Sequence, residues 1–268
     1  MLSYFTPQDI IQYNKLAHLH DGKKVFFCKT DHLNDLFKKL KNYDSPCILI
    51  TGNSDIGITD EIVNLAPPCI KKWFAQAVAT NNPLVEGMPY GIDNHEDCVV
   101  EGHGKGWSNL AIKPVLLSNP PVNISNPEKE LYANFSLSTH PIRKKVHDIC
   151  KKLDYVTTTV SLSHKESVER SYIKYVNDIL NHKMVVCPRG NAPAETHRFW
   201  ETLYLGRVPI IKKNRGNSFF TELPVVVLES WDDLTNLDFI NSQYEKVKNN
   251  SKDMLYIEYW KSRILNEC

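Results

Sequence analysis

The sequence predicts an α/β protein of two lobes, each a parallel sheet covered by helices. From residue 131 onward, short β-branched apolar runs alternate with amphipathic helical stretches over about 115 residues, the pattern of parallel strands joined by crossover helices. A smaller set of the same alternation occupies the first third of the chain. Between them lies a Pro-, Asn- and Ser-rich stretch at 118–127. These features divide the chain into a first lobe at 1–115, a connector at 116–130, a second lobe at 131–250 and a C-terminal helix at 251–268.

In the first lobe, residues 24–29 (KVFFCK) read as a strand. Residues 31–42 read as a helix with Leu33, Leu36, Phe37 and Leu40 on one face. Residues 47–51 (CILIT) form a second buried strand that ends in Gly52-Asn53-Ser54-Asp55. Open α/β sheets place ligands at such strand ends, so Asp55 is a candidate acid or base, with an Asx-turn or helix cap as the plain alternative. Residues 69–78 read as helical, with Trp73, Phe74 and Ala77 apolar, and 84–88 as a short strand running into Pro89-Tyr90-Gly91-Ile92-Asp93.

Residues 95–127 are the least regular. The glycine cluster from Gly102 to Gly106 is not a phosphate-binding P-loop, because no Ser or Thr follows Lys105. His95, Glu96, Asp97, Glu101 and His103 lack a helical pair of histidines four apart, so the segment reads as an acceptor loop or connector and no metal site is assigned.

The second lobe reads as strand 131–137, helix 141–152, strand 155–160 and helix 167–182, then strand 184–187, helix from Thr196 to a C-terminal glycine at Gly206, and strand 208–211. A strand at 224–228 and a mainly helical stretch at 231–249 complete it. The glycine fingerprint of dinucleotide sites is missing, so NAD and FAD are not expected. Parallel strands put the loop of Ser136 and Thr139 on the same sheet edge as the loop Pro188-Arg189-Gly190-Asn191. His197, Arg198 and Glu201 fall in the opening turns of the following helix, whose N-terminus suits a phosphate. Glu201 could accept from ribose hydroxyls; the plainer alternative is an i, i+3 ion pair with Arg198. Arg143, Arg189 and Arg198 on one edge favour a diphosphate, whose oxygens suit the planar guanidinium fork.

Three pieces of this lobe together resemble the donor-site signature of exostosin-like glycosyltransferases: Pro188-Arg189-Gly190, Thr196-His197-Arg198-Phe199-Trp200-Glu201 and Leu205-Gly206-Arg207-Val208-Pro209-Ile210. The likeness is to the branch that includes ribitol xylosyltransferase and glycosyltransferases of large algal viruses, which makes a viral source an expectation. It is strong over about residues 131–231 and departs at Glu195, where Asp is expected, and at Arg207, where a small residue or Cys is usual. The resemblance implies a GT-B-like architecture, two Rossmann-like lobes with a donor cleft between them and a terminal helix bracing back on the first. It implies transfer of a sugar, with xylose the candidate, from a nucleoside diphosphate to a hydroxyl of a glycan or glycoprotein. A UDP-sugar is favoured over a GDP-sugar as co-substrate. Donor binding then falls to Ser136, Thr139, Arg143, Pro188, Arg189, Gly190, Asn191, His197, Arg198 and Glu201. Inversion and retention both stay open; if the enzyme inverts, a base from the first lobe deprotonates the acceptor, Asp55 first and Asp93 second. No Asp-x-Asp occurs, so no metal or other cofactor is expected, and arginines and helix ends would carry the leaving diphosphate's charge. The alternative is a non-catalytic nucleotide- or carbohydrate-binding module of the same fold.

Composition narrows the remaining classes. Lys and Arg number 32 against 31 Asp and Glu, a net charge of +1, which gives no basic field for nucleic acid. The seven cysteines are scattered without paired spacing and read as reduced thiols of a cytoplasmic protein. No stretch reaches the roughly 18 apolar residues of a membrane span. Animal relatives in this family are often anchored in the Golgi membrane, whereas this sequence reads as a bare catalytic unit.

Overall fold

The computed structural model describes residues 5–93, 113–122, 124–159 and 172–268. Their strands form two parallel sheets, one in each lobe. In the first, β1 (Val25–Lys29), β2 (Cys47–Gly52), β3 (Ile70–Ala75) and β4 (Val85–Gly87) lie side by side in chain order. In the second, β5 (Lys129–Ala133), β6 (Val156–Thr158), β7 (His182–Val186), β8 (Val208–Lys212) and β9 (Val226–Leu228) take the order β6-β5-β7-β8-β9. The helices are α1 (Leu33–Leu40), α2 (Asp60–Val63), α3 (Lys113–Ser118), α4 (Ile142–Cys150), α5 (Tyr172–Leu180), α6 (His197–Tyr204), α7 (Leu237–Val247) and α8 (Ile257–Leu265).

Each central strand is apolar because both its faces are covered. All six residues of β2 are buried: Leu49 packs with Phe37 and Trp73 on one face, and Ile48 and Ile50 join Phe74 on the other. The helix expected at 69–78 is instead β3, paired with β2 and β4. Pro67 and Pro68 precede it, and the short apolar run Trp73-Phe74-Ala75 carries no periodicity that separates helix from buried strand. Ala77, with φ of 54°, breaks the regular backbone two residues after the strand. The strand expected at 131–137 is shifted to Lys129–Ala133, which releases Ser136 into a loop.

The irregular stretch contains one described helix, α3. The five acidic and histidine residues from His95 to His103, the glycine cluster beside them and the start of the helix expected at 167–182 lie outside the described residues. The described part of that helix is α5, and β7 begins directly after it at His182. α6 ends as its sequence predicts. Gly206 takes φ of 69°, its N–H donates to the Leu203 carbonyl, and that of Arg207 donates to Thr202.

The two lobes share a core. Phe5, Ile10 and Ile11 near the N-terminus and Ile50 and Phe74 of the first sheet pack in one apolar cluster with Trp200 and Tyr204 of α6 and Trp260 of α8. The Tyr204 hydroxyl accepts from the Ile11 N–H at 2.8 Å and donates to the Leu255 carbonyl at 2.8 Å. α8 reaches the first lobe through Arg263, whose Nη2 lies 2.7 Å from Glu86. Gly91 sits at φ of 62°, and a Cβ there would strike the Ile11 carbonyl, so only glycine suits this close approach within the first lobe. Among the described residues no helix is long and apolar enough to cross a membrane.

Candidate functional site

The order of the second sheet reverses between β5 and β7. The crevice outside their carboxyl ends is where open α/β sheets hold ligands. Two loops meet there, one after β5 and one after β7. Arg143, buried at the start of α4, laces them together: Nε donates to the Arg189 carbonyl at 2.9 Å and Nη1 to the Ser136 carbonyl at 3.1 Å. A Cβ built on Gly190 would lie 3.5 Å from Arg143 Nη2, with the methyls of Thr196 and Thr139 at 3.6 and 3.9 Å. The sequence-predicted Ser136, Thr139, Arg143 and Gly190 therefore converge, and Gly190 leaves the space between them unfilled. Pro188 is buried where β7 gives way to the loop.

Arg189 folds back on its own loop, donating from Nη2 to the Asn191 carbonyl at 2.7 Å. Arg198 stands with its guanidinium 5.9 Å from the Phe135 ring centre. Among the described residues its buried Nε has no partner, nor has the hydroxyl of Thr196, the residue that opens α6 without capping it. Buried donors left unpaired cost free energy, which a ligand oxygen would return. Burial first, then the Arg198 charge, lowers the Arg143 guanidinium, and burial followed by Arg189 and Arg143 lowers the His140 imidazole. Among the described residues none of these arginines has a carboxylate in ion-pair reach. The crevice is electropositive and, among the described residues, uncompensated by any ion pair.

The acidic residues expected beside these arginines are engaged elsewhere. Glu201 makes no ion pair with Arg198. Its Oε1 lies 3.1 Å from Lys113 Nζ and accepts from the Tyr172 hydroxyl at 3.2 Å, while Oε2 accepts from Tyr175 at 2.9 Å. It is buried and holds these three groups, so both of its oxygens are engaged within the protein. Lys113 also binds Asp93, whose other oxygen lies 2.9 Å from His197 Nε2. His197 Nδ1 sits 2.9 Å from the Gly91 carbonyl, so both ring nitrogens donate and the ring is an imidazolium.

The charge states follow from this packing. Burial would raise the Asp93 carboxyl, but the charges of His197 and Lys113 and their hydrogen bonds outweigh it and hold it well below the usual carboxylate range. Burial would lower Lys113 and His197; Asp93, with Glu201 beside Lys113, outweighs it and raises both. Asp93, held by two cations, makes a poor proton acceptor in this arrangement, and both ring nitrogens of His197 face partners within the protein.

Asp55 is different. It is exposed at the carboxyl end of β2, and its Oδ2 accepts from Asn191 Nδ2 of the second lobe at 3.2 Å. The one open carboxylate of the predicted set thus faces the switch-point loop. Of the two departures noted in the sequence, Arg207 is remote: it ties the Leu180 and Ile124 carbonyls at the opposite edge of the sheet. Glu195 is buried between the lobes, taking hydrogen bonds from the Tyr90 N–H at 3.1 Å and Trp200 Nε1 at 3.0 Å. Burial pushes its carboxyl up to about 7 against those hydrogen bonds. Sequence reasoning gave no role to Lys113, Tyr172, Tyr175 or Tyr90; only the i, i+3 spacing of Tyr172 and Tyr175 hinted at a shared partner. Among the described residues no cluster of three or more His, Cys, Asp or Glu side chains converges as a metal would need.

No protein-family model matches this sequence, and a search of curated proteins finds no match to it.

Proposed function

We propose that the protein is a glycosyltransferase of GT-B-like architecture that moves a sugar from a nucleoside diphosphate, a UDP-sugar such as UDP-xylose, to a hydroxyl of a glycan or glycoprotein. The observation that carries this reading is the crevice of Arg143, Arg189 and Arg198. It lies at the switch point of a parallel sheet and has no carboxylate to neutralise it among the described residues. Such a site suits a diphosphate, and the unpaired Nε of Arg198 and hydroxyl of Thr196 supply donors for its oxygens.

In the reaction Asp55 takes the acceptor proton while the acceptor oxygen bonds to the anomeric carbon. The bond from that carbon to the phosphate oxygen breaks, and the nucleoside diphosphate leaves with its charge opposed by the arginines. Fixed guanidiniums already oriented by backbone carbonyls need little reorganisation as that charge develops. Metal is not required in this scheme.

Calorimetric titration with UDP, GDP and a panel of nucleotide-sugars, followed by transfer assays with and without EDTA, tests the proposal. Selective binding with EDTA-resistant transfer is expected. Binding without transfer or donor hydrolysis makes the protein a non-catalytic module. Activity abolished by EDTA and restored by Mn²⁺ overturns the metal-free scheme, and no nucleotide binding overturns the reading itself.

A further inference from the structure

Glu195 is a buried carboxyl that the scheme above does not use, and its surroundings give it a place in the site. Oε1 takes both the Tyr90 N–H and the Trp200 indole N–H, so one atom joins the first lobe to α6 of the second. From Tyr90 the connection continues: its hydroxyl donates to the Ser54 carbonyl at 2.8 Å, one residue before Asp55. The Tyr90 ring packs against Ala77 of the first lobe and Ala192 and Ala194 of the second, and edge-on to His197 with centroids 6.0 Å apart. Asp55 and Arg189 both lie close enough to Tyr90 to act on its phenol. Trp200, Glu195, Tyr90 and Ser54 therefore form a continuous line from the helix that carries Arg198 to the loop that carries Asp55.

That loop turns through Asn53, whose left-handed φ of 54° is one that Asn adopts more readily than other residues with a Cβ, and the Asn53 N–H donates to Gln76 Oε1 at 2.7 Å. Asp55 is exposed, with Asn191 as its contact across the cleft. The Tyr90 tether is the hold that ties Ser54, the residue next to Asp55, to the second lobe through Glu195, beside the Gln76 contact on Asn53 and the Asn191 contact on Asp55. A displacement of about 1 Å is enough to lower a rate about 10²-fold when a base must meet a proton in transfer.

We propose that Glu195 is a positioning residue that acts through Tyr90 to fix the Asp55 loop of the first lobe against the donor crevice of the second. Its consequence for turnover rests on the transferase reading; the positioning itself does not. Glu195 does not reach the reacting atoms, because its Oε1 is spent on two protein donors.

Hydrogen exchange separates the two levels. In Glu195→Ala, amides of residues 53–57 and 90–92 are expected to exchange about 10-fold faster or more, while those of β7 keep their protection. Tyr90→Phe, which removes only the bond to Ser54, should release 53–57 alone. Glu195→Gln, which keeps an oxygen for both donors, should return most of the protection. Unchanged loop exchange in Glu195→Ala overturns the proposal. So does an increase that includes β7 in both Glu195→Ala and Glu195→Gln, since that marks a core residue and nothing more. If UDP binds the wild type, turnover of Glu195→Ala should fall about 10-fold or more with UDP affinity within about 2-fold. Loss of UDP affinity in that variant, with β7 still protected, also overturns it. If UDP does not bind the wild type, the donor reading fails and the exchange experiment still decides whether Glu195 holds the loop.

Discussion

His197 Nε2 lies 2.9 Å from Asp93 Oδ1, and that contact spans the two lobes: Asp93 belongs to the first, and His197 opens the helix that carries Arg198. The pair is extended by Lys113, which bridges Asp93 and Glu201, so two cations and two carboxylates balance where the lobes meet. Burial removes most of the water that would screen these charges, and this closeness makes the junction sensitive to protonation.

Stability should therefore fall as pH rises through neutrality. The His197 imidazole is raised, so its contribution is complete below its unfolded value of 6.5 and disappears as pH climbs through its folded value. Glu195 acts in the same direction. With its carboxyl pushed up from 4.5 to about 7, the protonated form is favoured on folding and that preference is lost as pH passes about 7. Asp93 works at the other end, its contribution present above 3.8 and lost as acid approaches its depressed value. Urea melts between about pH 5 and 8.5 should show a decline that below about 7 comes mainly from Glu195 and above about 6.5 from His197, so Glu195→Gln should flatten the part below about 7 and leave the His197 part in place. Stability that rises over the same interval contradicts the assignment.

Lys113→Met tests the box directly. It removes the cation between two carboxylates whose side chains are 13% and 6% exposed. Breaking a buried pair from one side costs about 3–5 kcal/mol, because the remaining charge has no compensation. Adding Glu201→Gln should recover part of the loss, since the two sites are in contact. Denaturant melts placing Lys113→Met within about 1 kcal/mol of wild type would show that solvent already carries these charges.

What the sequence discloses about this molecule is mostly local. β2, α1 and the β7–α6–β8 unit follow from apolar period and punctuation, and Gly206 ends α6 because a left-handed C-terminal residue has a clear residue preference. β3 was not legible, since Trp73-Phe74-Ala75 suits a buried strand and a buried helix equally. Partner choice was harder still. An i, i+3 pairing of Arg198 with Glu201 is the natural local expectation, yet Lys113, 88 positions from Glu201 in the numbering, takes that carboxylate in a less solvated setting. Arg143 was placed on the correct edge, but two of its donors go to backbone carbonyls, which leave no mark in sequence. The edge that gathers Ser136, Thr139, Gly190 and Arg198 could be read from strand direction alone; which atoms stay free in it could not.

Arg198→Ala should weaken UDP binding by roughly 2–4 kcal/mol, the scale of a buried charge-assisted contact. Among the described residues its Nε has no partner, so truncation removes a donor without breaking a hydrogen bond to any of them, and the fold should tolerate it. Calorimetry on a protein with unchanged circular dichroism reads this directly. Wild-type UDP affinity in that variant would move the diphosphate away from the crevice.

Asp55→Asn is the sharpest test of the chemistry. Asp55 is exposed at the end of β2 and held by Asn191 at 3.2 Å, while Asp93 is sequestered by His197 and Lys113. If the Asp55 carboxylate takes the acceptor proton, its amide leaves donor affinity nearly intact but lowers kcat by about 10²-fold or more. The contact to Asn191 complicates the substitution in a useful way. Asn keeps an oxygen that can accept from Asn191, so loop placement should survive and the lost ionisable group is isolated. Asp55→Ala removes both the carboxylate and that hydrogen bond, so it should be no more active and should also loosen residues 53–57 in hydrogen exchange. Donor affinity measured beside turnover separates the outcomes. Near wild-type turnover in Asp55→Asn makes Asp55 a turn residue and returns the base to an acceptor-side group not yet identified, because Asp93 is already committed to two cations.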